Sequence, residues 1–199
     1  LFRRGFNVDS NDLQTAYRAS WDLYLTQGFK FPTDREAYLY GTNHTLNLLG
    51  VEDNDVQIAE EIIGRFEISG SVELYQDSIP ALRELRAGGF RIGIATGRWH
   101  DPSNDVRAVG LAASVDVVYH SGMLGTQKNE AGFWSILLKR EGLASSDVVL
   151  IDDNAEAVAT ARKTGITAFR IQRHDSPIGS PESADFTELS GLPLLLESK

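Results

Sequence analysis

Two adjacent acids, Asp152 and Asp153, stand where the apolar run VVLI breaks off. Paired carboxylates at a strand end suit Mg²⁺, which takes hard oxygen ligands and keeps several waters. Two other sets of polar residues follow apolar runs in the same way. The run RIGIA leads into Thr96, Gly97 and Arg98, and VDVVY leads into His120, Ser121 and, after a short loop, Lys128. A hydroxyl followed by glycine at a strand-to-helix turn suits an anion, because its oxygen and the neighbouring backbone N–H groups point the same way. Lysine adds a mobile positive charge. A hydroxyl, an amine and two carboxylates at one edge describe a metal-assisted phosphoryl site.

Each residue also has an ordinary structural reading. Thr96 suits a helix cap, and Lys128 suits a solvated loop. The acid pair resists that treatment. Asn154 or Asp153 can cap the next helix, but one cap suffices, and a second carboxylate beside it repels the first. The lone His120 and His174 have no ligand spacing and are assigned nothing.

The elements that must position these residues fall into two halves. Residues 1–72 read as helices. Leu13, Tyr17, Ser20, Trp21 and Tyr24 recur at helical spacing behind the cap candidates Ser10 and Asn11, with Gly28 as a stop. Thr33 and Glu36 form a capping-box pattern ahead of Leu39, Leu46 and Leu49, and Gly50 closes that run. Val56, Ala59, Ile62, Ile63 and Phe66 make a third stripe behind Asp53 and Asn54. Residues 73–199 alternate short apolar runs with helical patterns. Strands are expected over 91–96, 115–121, 147–153 and 167–172, separated by helices, with a surface loop from Arg173 to Asp185. That alternation predicts βαβ units and a parallel sheet covered on both faces, with ligands bound beyond the carboxyl ends of the strands.

Composition removes several other function classes. There is no cysteine, so thiol catalysis and Cys-ligated metals are excluded. A net charge of −9 argues against a broad nucleic-acid surface, which needs clustered Lys and Arg. No apolar run approaches the roughly 20 residues of a membrane span. The expectation is a cytoplasmic protein, monomer or homodimer, with neither nucleic-acid nor membrane partners.

The order of the three strand-end motifs resembles the haloacid dehalogenase-like (HAD) hydrolase superfamily. IGIAT, ending at Thr96, looks like its second motif. GTQKNEAGFWSILL looks like the lysine motif, with Asn129 where proline is common. LIDDNAEAVATARKTG looks like the paired-acid motif, with Ala157 where asparagine is frequent, and YQDSIPALRELRAGGF resembles the return from an inserted cap. The resemblance implies a Rossmann-like three-layer core over 73–199 and a helical cap domain over 1–72. It also implies a Mg²⁺-dependent phosphatase acting on a small phosphorylated metabolite. In that scheme Thr96, Gly97 and Arg98 meet the substrate, Thr96 and Lys128 serve catalysis, and Asp152 and Asp153 serve the metal. Two alternatives share the fold: a 2-haloacid dehalogenase, and a binding or regulatory protein without catalysis.

The family's first motif, a strand ending in D-x-D, has no counterpart here. FNVDSND imitates its spacing with Asp9 and Asn11. However, that motif closes the central strand, buried on both faces, whereas LFRRGFNV carries Arg3, Arg4 and Gly5. The expectation is therefore that the first core strand and its nucleophile lie upstream of Leu1, and that the chain is inactive without them. Because that strand lies between those ending at Thr96 and Asp152, its loss is expected to leave two half-sheets.

Overall fold

Helix α1 (Ser10–Gln27) begins where the Asp9 carboxylate accepts the N–H groups of Asn11 and Asp12, at 2.8 and 3.4 Å. The cap is thus Asp9, not the expected Ser10 or Asn11. A carboxylate one residue earlier reaches two free N–H groups and also favours the positive end of the helix. Asp9 is a cap and Asn11 lies in a helical turn, so the pair is not a strand-end motif.

The computed structural model describes residues 8–52, 57–68, 73–173 and 184–192, with backbone alone at 66–68 and 191. Arg3, Arg4, Gly5, Asp53, Asn54, Val56, the Phe66 side chain, His174 and most of the expected 173–185 loop lie outside the described residues. The chain divides into two units, Leu1–Glu73 and Leu74–Lys199.

The first unit is helical. α2 (Asp34–Leu48) opens with the expected capping box: the Glu36 N–H donates to Thr33 Oγ1 at 3.2 Å, and the Thr33 hydroxyl donates to Glu36 Oε2 at 3.0 Å. α1 and α2 meet at small and hydroxylated positions. A Cβ on Gly41 would stand 3.6 Å from the Ser20 carbonyl oxygen, and the Thr45 hydroxyl donates to Ser20 Oγ at 2.7 Å. The Tyr24 hydroxyl donates to Asp34 at 2.7 Å, and its ring stacks between Trp21 and Tyr38 with centroids 5.2 and 5.0 Å away. α3 (Gln57–Ile68) joins α2 through a cluster of Leu46, Val51, Ile58 and Ala59.

The second unit alternates as expected: α4 (Ser78–Ala87), β1 (Gly93–Thr96), α5 (Ser103–Ala108), β2 (Val117–His120), α6 (Ser121–Leu124), α7 (Ala131–Glu141), β3 (Val149–Asp152), α8 (Ala155–Lys163) and β4 (Thr167–Arg170). The strands are shorter than their apolar runs, and at the leading end of β1 and β2 the Asp116 side chain replaces a backbone acceptor. Ile92 N–H donates to Asp116 Oδ2 and Asp116 N–H donates to the Ile92 carbonyl, both at 2.8 Å, so the ladder starts at Gly93. β1 pairs with β2 and β3 with β4, both parallel, and the described strands form these two pairs alone. That is the half-sheet arrangement expected from the sequence.

One apolar core nevertheless spans both pairs. Tyr119 of β2, Leu150 of β3 and Ala168 of β4 pack with Phe133, Trp134 and Leu137 of α7 and with Val158 and Ala161 of α8. On the other side, Ile151 packs with Leu82 and Leu85 of α4 and with Leu192. Leu150 and Ile151 face opposite layers because successive strand side chains alternate. Helices therefore cover both faces, as a parallel sheet requires.

Candidate active site

The residues singled out in the sequence sit at the carboxyl ends of the strands. Thr96 is the last residue of β1 and pairs in register with His120, the last residue of β2. Asp152 is the last residue of β3, and the alternation that buries Leu150 buries Asp152 too. Asp153 is one step further on and exposed.

Lys128 and Asp152 meet. Lys128 Nζ donates to Asp152 Oδ2 at 2.6 Å, while Oδ1 accepts the Asn154 N–H at 2.9 Å. Burial pushes the Asp152 carboxyl above its ordinary value, and the Lys128 charge and the two hydrogen bonds pull against that rise. Asn154 caps α8, its Oδ1 accepting the N–H groups of Glu156 and Ala157 at 2.9 and 3.0 Å. Capping is therefore provided without Asp153, whose carboxylate makes no hydrogen bond or ion pair with the described residues. The backbone of the acid pair is held from β4: Ile171 N–H donates to the Asp152 carbonyl at 3.0 Å, and Arg170 Nε donates to the Asp153 carbonyl at 3.2 Å.

The turn after β1 lies against the loop that carries Lys128. A Cβ on Gly97 would stand 3.4 Å from Gln127 Oε1. Beyond it, Gly122 N–H donates to the Arg98 carbonyl at 3.3 Å, and a Cβ at Gly122 would lie 1.8 Å from the Trp99 carbonyl oxygen, so no residue larger than glycine fits there without displacing backbone. Arg98 turns its guanidinium to an ion pair with Asp105 of α5.

Three polar residues at this edge received no role from the sequence. His120 caps α6, with Nδ1 accepting the Met123 N–H at 3.3 Å. Ser121 is fully buried and Gln127 nearly so, and the Ser121 hydroxyl donates to Gln127 Oε1 at 3.3 Å. The available signal was their position: polar residues directly after an apolar run, flanking the lysine.

The donor set suits a divalent cation of the Mg²⁺ type. Asp153 offers an exposed carboxylate with no partner among the described residues, next to Asp152, whose charge is already matched by Lys128. Among the described residues no three His, Cys, Asp or Glu gather at one point. One or two carboxylates are what Mg²⁺ commonly takes when it keeps its waters.

Comparison with known proteins bears directly on this arrangement. Residues 11–165 match the family described as haloacid dehalogenase-like hydrolase. The phosphatase MT3486 of Mycobacterium tuberculosis (strain CDC 1551 / Oshkosh) is 26% identical over 141 residues, covering 70% of this chain and 63% of that protein. The chain thus spans less than two thirds of that relative's length. The GMP/IMP nucleotidase YrfG of Escherichia coli (strain K12) is 26% identical over 167 residues, covering 82% of this chain and 75% of that protein. In fold, the chain is similar to a dehalogenase solved with an intermediate complex, at a TM-score of 0.70 and 19% identity over 98% of this chain and 88% of that one. The architecture is accordingly the Rossmann-like α/β fold with a helical cap. With a family match running through all three strand-end motifs, the chain belongs to the haloacid dehalogenase-like hydrolases.

Proposed function

We propose that this hydrolase is a Mg²⁺-dependent phosphatase of a small phosphorylated metabolite. The observation that carries the reading is the part-buried Lys128–Asp152 pair at 2.6 Å, next to an exposed Asp153 without a partner among the described residues. In this reading residues 1–72 form the cap and residues 73–199 the catalytic core. The nucleophile and the general acid/base are the two acids of a D-x-D motif upstream of Leu1.

In this reading the roles divide among the strand ends. The Thr96 hydroxyl and the Gly97 amide bind phosphate oxygens. Lys128 neutralises charge shared between nucleophile and phosphate, and Asp152 fixes the direction of its ammonium group. Asp153 holds Mg²⁺, with Asp152 contributing negative charge behind it. When bound, the metal screens the repulsion between an anionic nucleophile and an anionic substrate. The first upstream Asp attacks phosphorus as the ester bond breaks, and the second gives its proton to the departing alkoxide. The second Asp then takes a proton from water as the water oxygen attacks the phosphorus of the aspartyl-phosphate, and the carboxylate–phosphorus bond breaks, which releases inorganic phosphate and restores the nucleophile.

The dehalogenase alternative attacks carbon and works without a metal. Paired acids weigh against it, because Lys128 neutralises one carboxylate and leaves Asp153 to repel a carboxylate substrate. The relative's name puts GMP and IMP in the first substrate panel. The deciding experiment uses protein from the full reading frame, assayed for phosphate release from p-nitrophenyl phosphate and for halide release from 2-chloropropionate, each with and without EDTA. Chelator-sensitive phosphate release supports the proposal. Chelator-insensitive halide release replaces it, and silence in both assays favours a non-catalytic binding protein.

A further inference from the structure

Buried polar groups are costly unless they hold something in place. Around Lys128 the structure buries two such groups that the proposed chemistry does not use. Ser121 is 0% exposed and Gln127 is 6% exposed. The Ser121 hydroxyl donates to Gln127 Oε1 at 3.3 Å, and the same oxygen lies 3.4 Å from where a Cβ on Gly97 would stand. The Gln127 backbone is itself anchored, since its carbonyl accepts the Glu130 N–H at 2.9 Å. Its neighbour in sequence is Lys128, tied to Asp152 at 2.6 Å.

The Gln127 side chain therefore stands between two pieces that arrive from different strands. One is the turn after β1, which carries Thr96 and Gly97. The other is the loop after α6, which carries Lys128. Thr96 and His120 end their strands in register, so β1 and β2 alone fix the height of the turn but not its distance from the lysine loop. A buried amide wedged against both, and secured by a buried hydroxyl, supplies that distance.

We propose that Gln127 is a positioning residue that sets the spacing between the Thr96–Gly97 turn and Lys128, so that phosphate affinity depends on its side-chain amide. This rests on the phosphatase reading above. The role differs from simple core filling. A core filler tolerates Gln127→Met, which keeps the length and most of the volume, with no loss of phosphate affinity. A residue lining the anion turn does not tolerate a negative charge there.

The test uses the full-reading-frame protein and its Gln127→Glu, Gln127→Met and Ser121→Ala variants. Three quantities are read: the inhibition constant of inorganic phosphate against p-nitrophenyl phosphate hydrolysis, hydrogen exchange in peptides covering 95–99 and 126–130, and the thermal midpoint. Gln127→Glu is expected to weaken phosphate inhibition at least about tenfold, as a like charge near the anion requires, in addition to the lower thermal midpoint that a buried carboxylate causes in any role. Gln127→Met is expected to weaken it less and to speed exchange in both peptides. Ser121→Ala, which loosens the amide without touching the turn, is expected to shift both readouts in the same direction by a smaller factor.

Wild-type phosphate inhibition in Gln127→Glu, with unaltered exchange in Gln127→Met, overturns the positioning role while leaving the phosphatase reading intact. A parent protein that hydrolyses no phosphoester with any divalent metal removes the phosphatase reading itself and, with it, this proposal.

Discussion

Replacing Lys128 by Met keeps the length of the side chain and removes its charge. Asp152 then remains at the end of β3 with the Asn154 N–H as its remaining hydrogen-bond donor. Removing one partner of a buried ion pair costs about 3–5 kcal/mol, most of it the burden of the charge left behind. Here the two side chains are 17% and 7% exposed, which places the cost near the lower end, at about 3 kcal/mol. The pH dependence has a definite sign. Burial already holds the folded carboxyl above its ordinary value, and loss of Lys128 raises it further. Between the unfolded and folded values the folded chain binds more protons, so the stability contributed by this group falls as pH rises through that window. The deficit of Lys128→Met should be larger at neutral pH than in mild acid, as the stranded carboxylate becomes protonated. Urea unfolding of parent and variant under both conditions measures the gap. Equal stability at neutral pH, or a gap that widens in acid, refutes the buried-pair reasoning.

Other perturbations probe other parts of the fold. Asp77 is subject to an upward push from burial, but Arg173, bonded to both oxygens at 2.6 and 3.0 Å, and the Leu189 N–H at 2.6 Å hold it below its ordinary value. Its contribution is therefore present above the ordinary carboxylate range and lost as pH falls through the lowered value. Asp77→Asn should cost about 2–3 kcal/mol in neutral urea titrations, and less in acid. Gly122→Ala should cost about 2 kcal/mol or more, because the new methyl meets the Trp99 carbonyl and backbone must move, and a thermal midpoint within error of the parent would disprove the close approach. Asn154→Ala removes both cap bonds of α8 and should lower stability by about 1 kcal/mol, measurable by the same titration.

The strand-end motifs were legible because strand periodicity and the residue after each run are local properties of the sequence. The edge of the sheet, its alternation with helices and the place of the acid pair at a strand end follow from those alone. What was not legible depends on contacts between distant segments. Nothing in the sequence distinguishes the two acids, yet the pleat buries Asp152 with Leu150 and leaves Asp153 outside. Arg98 follows the second motif directly, but its guanidinium is drawn to Asp105, seven positions later on α5. Gln127 looks like an ordinary polar loop residue until α6 brings Ser121 beneath it. The cap of α1 was displaced by one residue because Asp9 competes successfully with Ser10 and Asn11 for the same N–H groups.

The central claim is that the two acids divide their labour, Asp152 holding Lys128 and Asp153 holding the metal. Isothermal titration of Mg²⁺ into the full-reading-frame protein and its Asp153→Asn variant tests it most directly, because binding is read without turnover. The account predicts that Mg²⁺ binds the parent and that Asp153→Asn weakens binding at least about tenfold, as loss of a carboxylate ligand from a hard-oxygen site implies. Binding of equal strength in both proteins contradicts it.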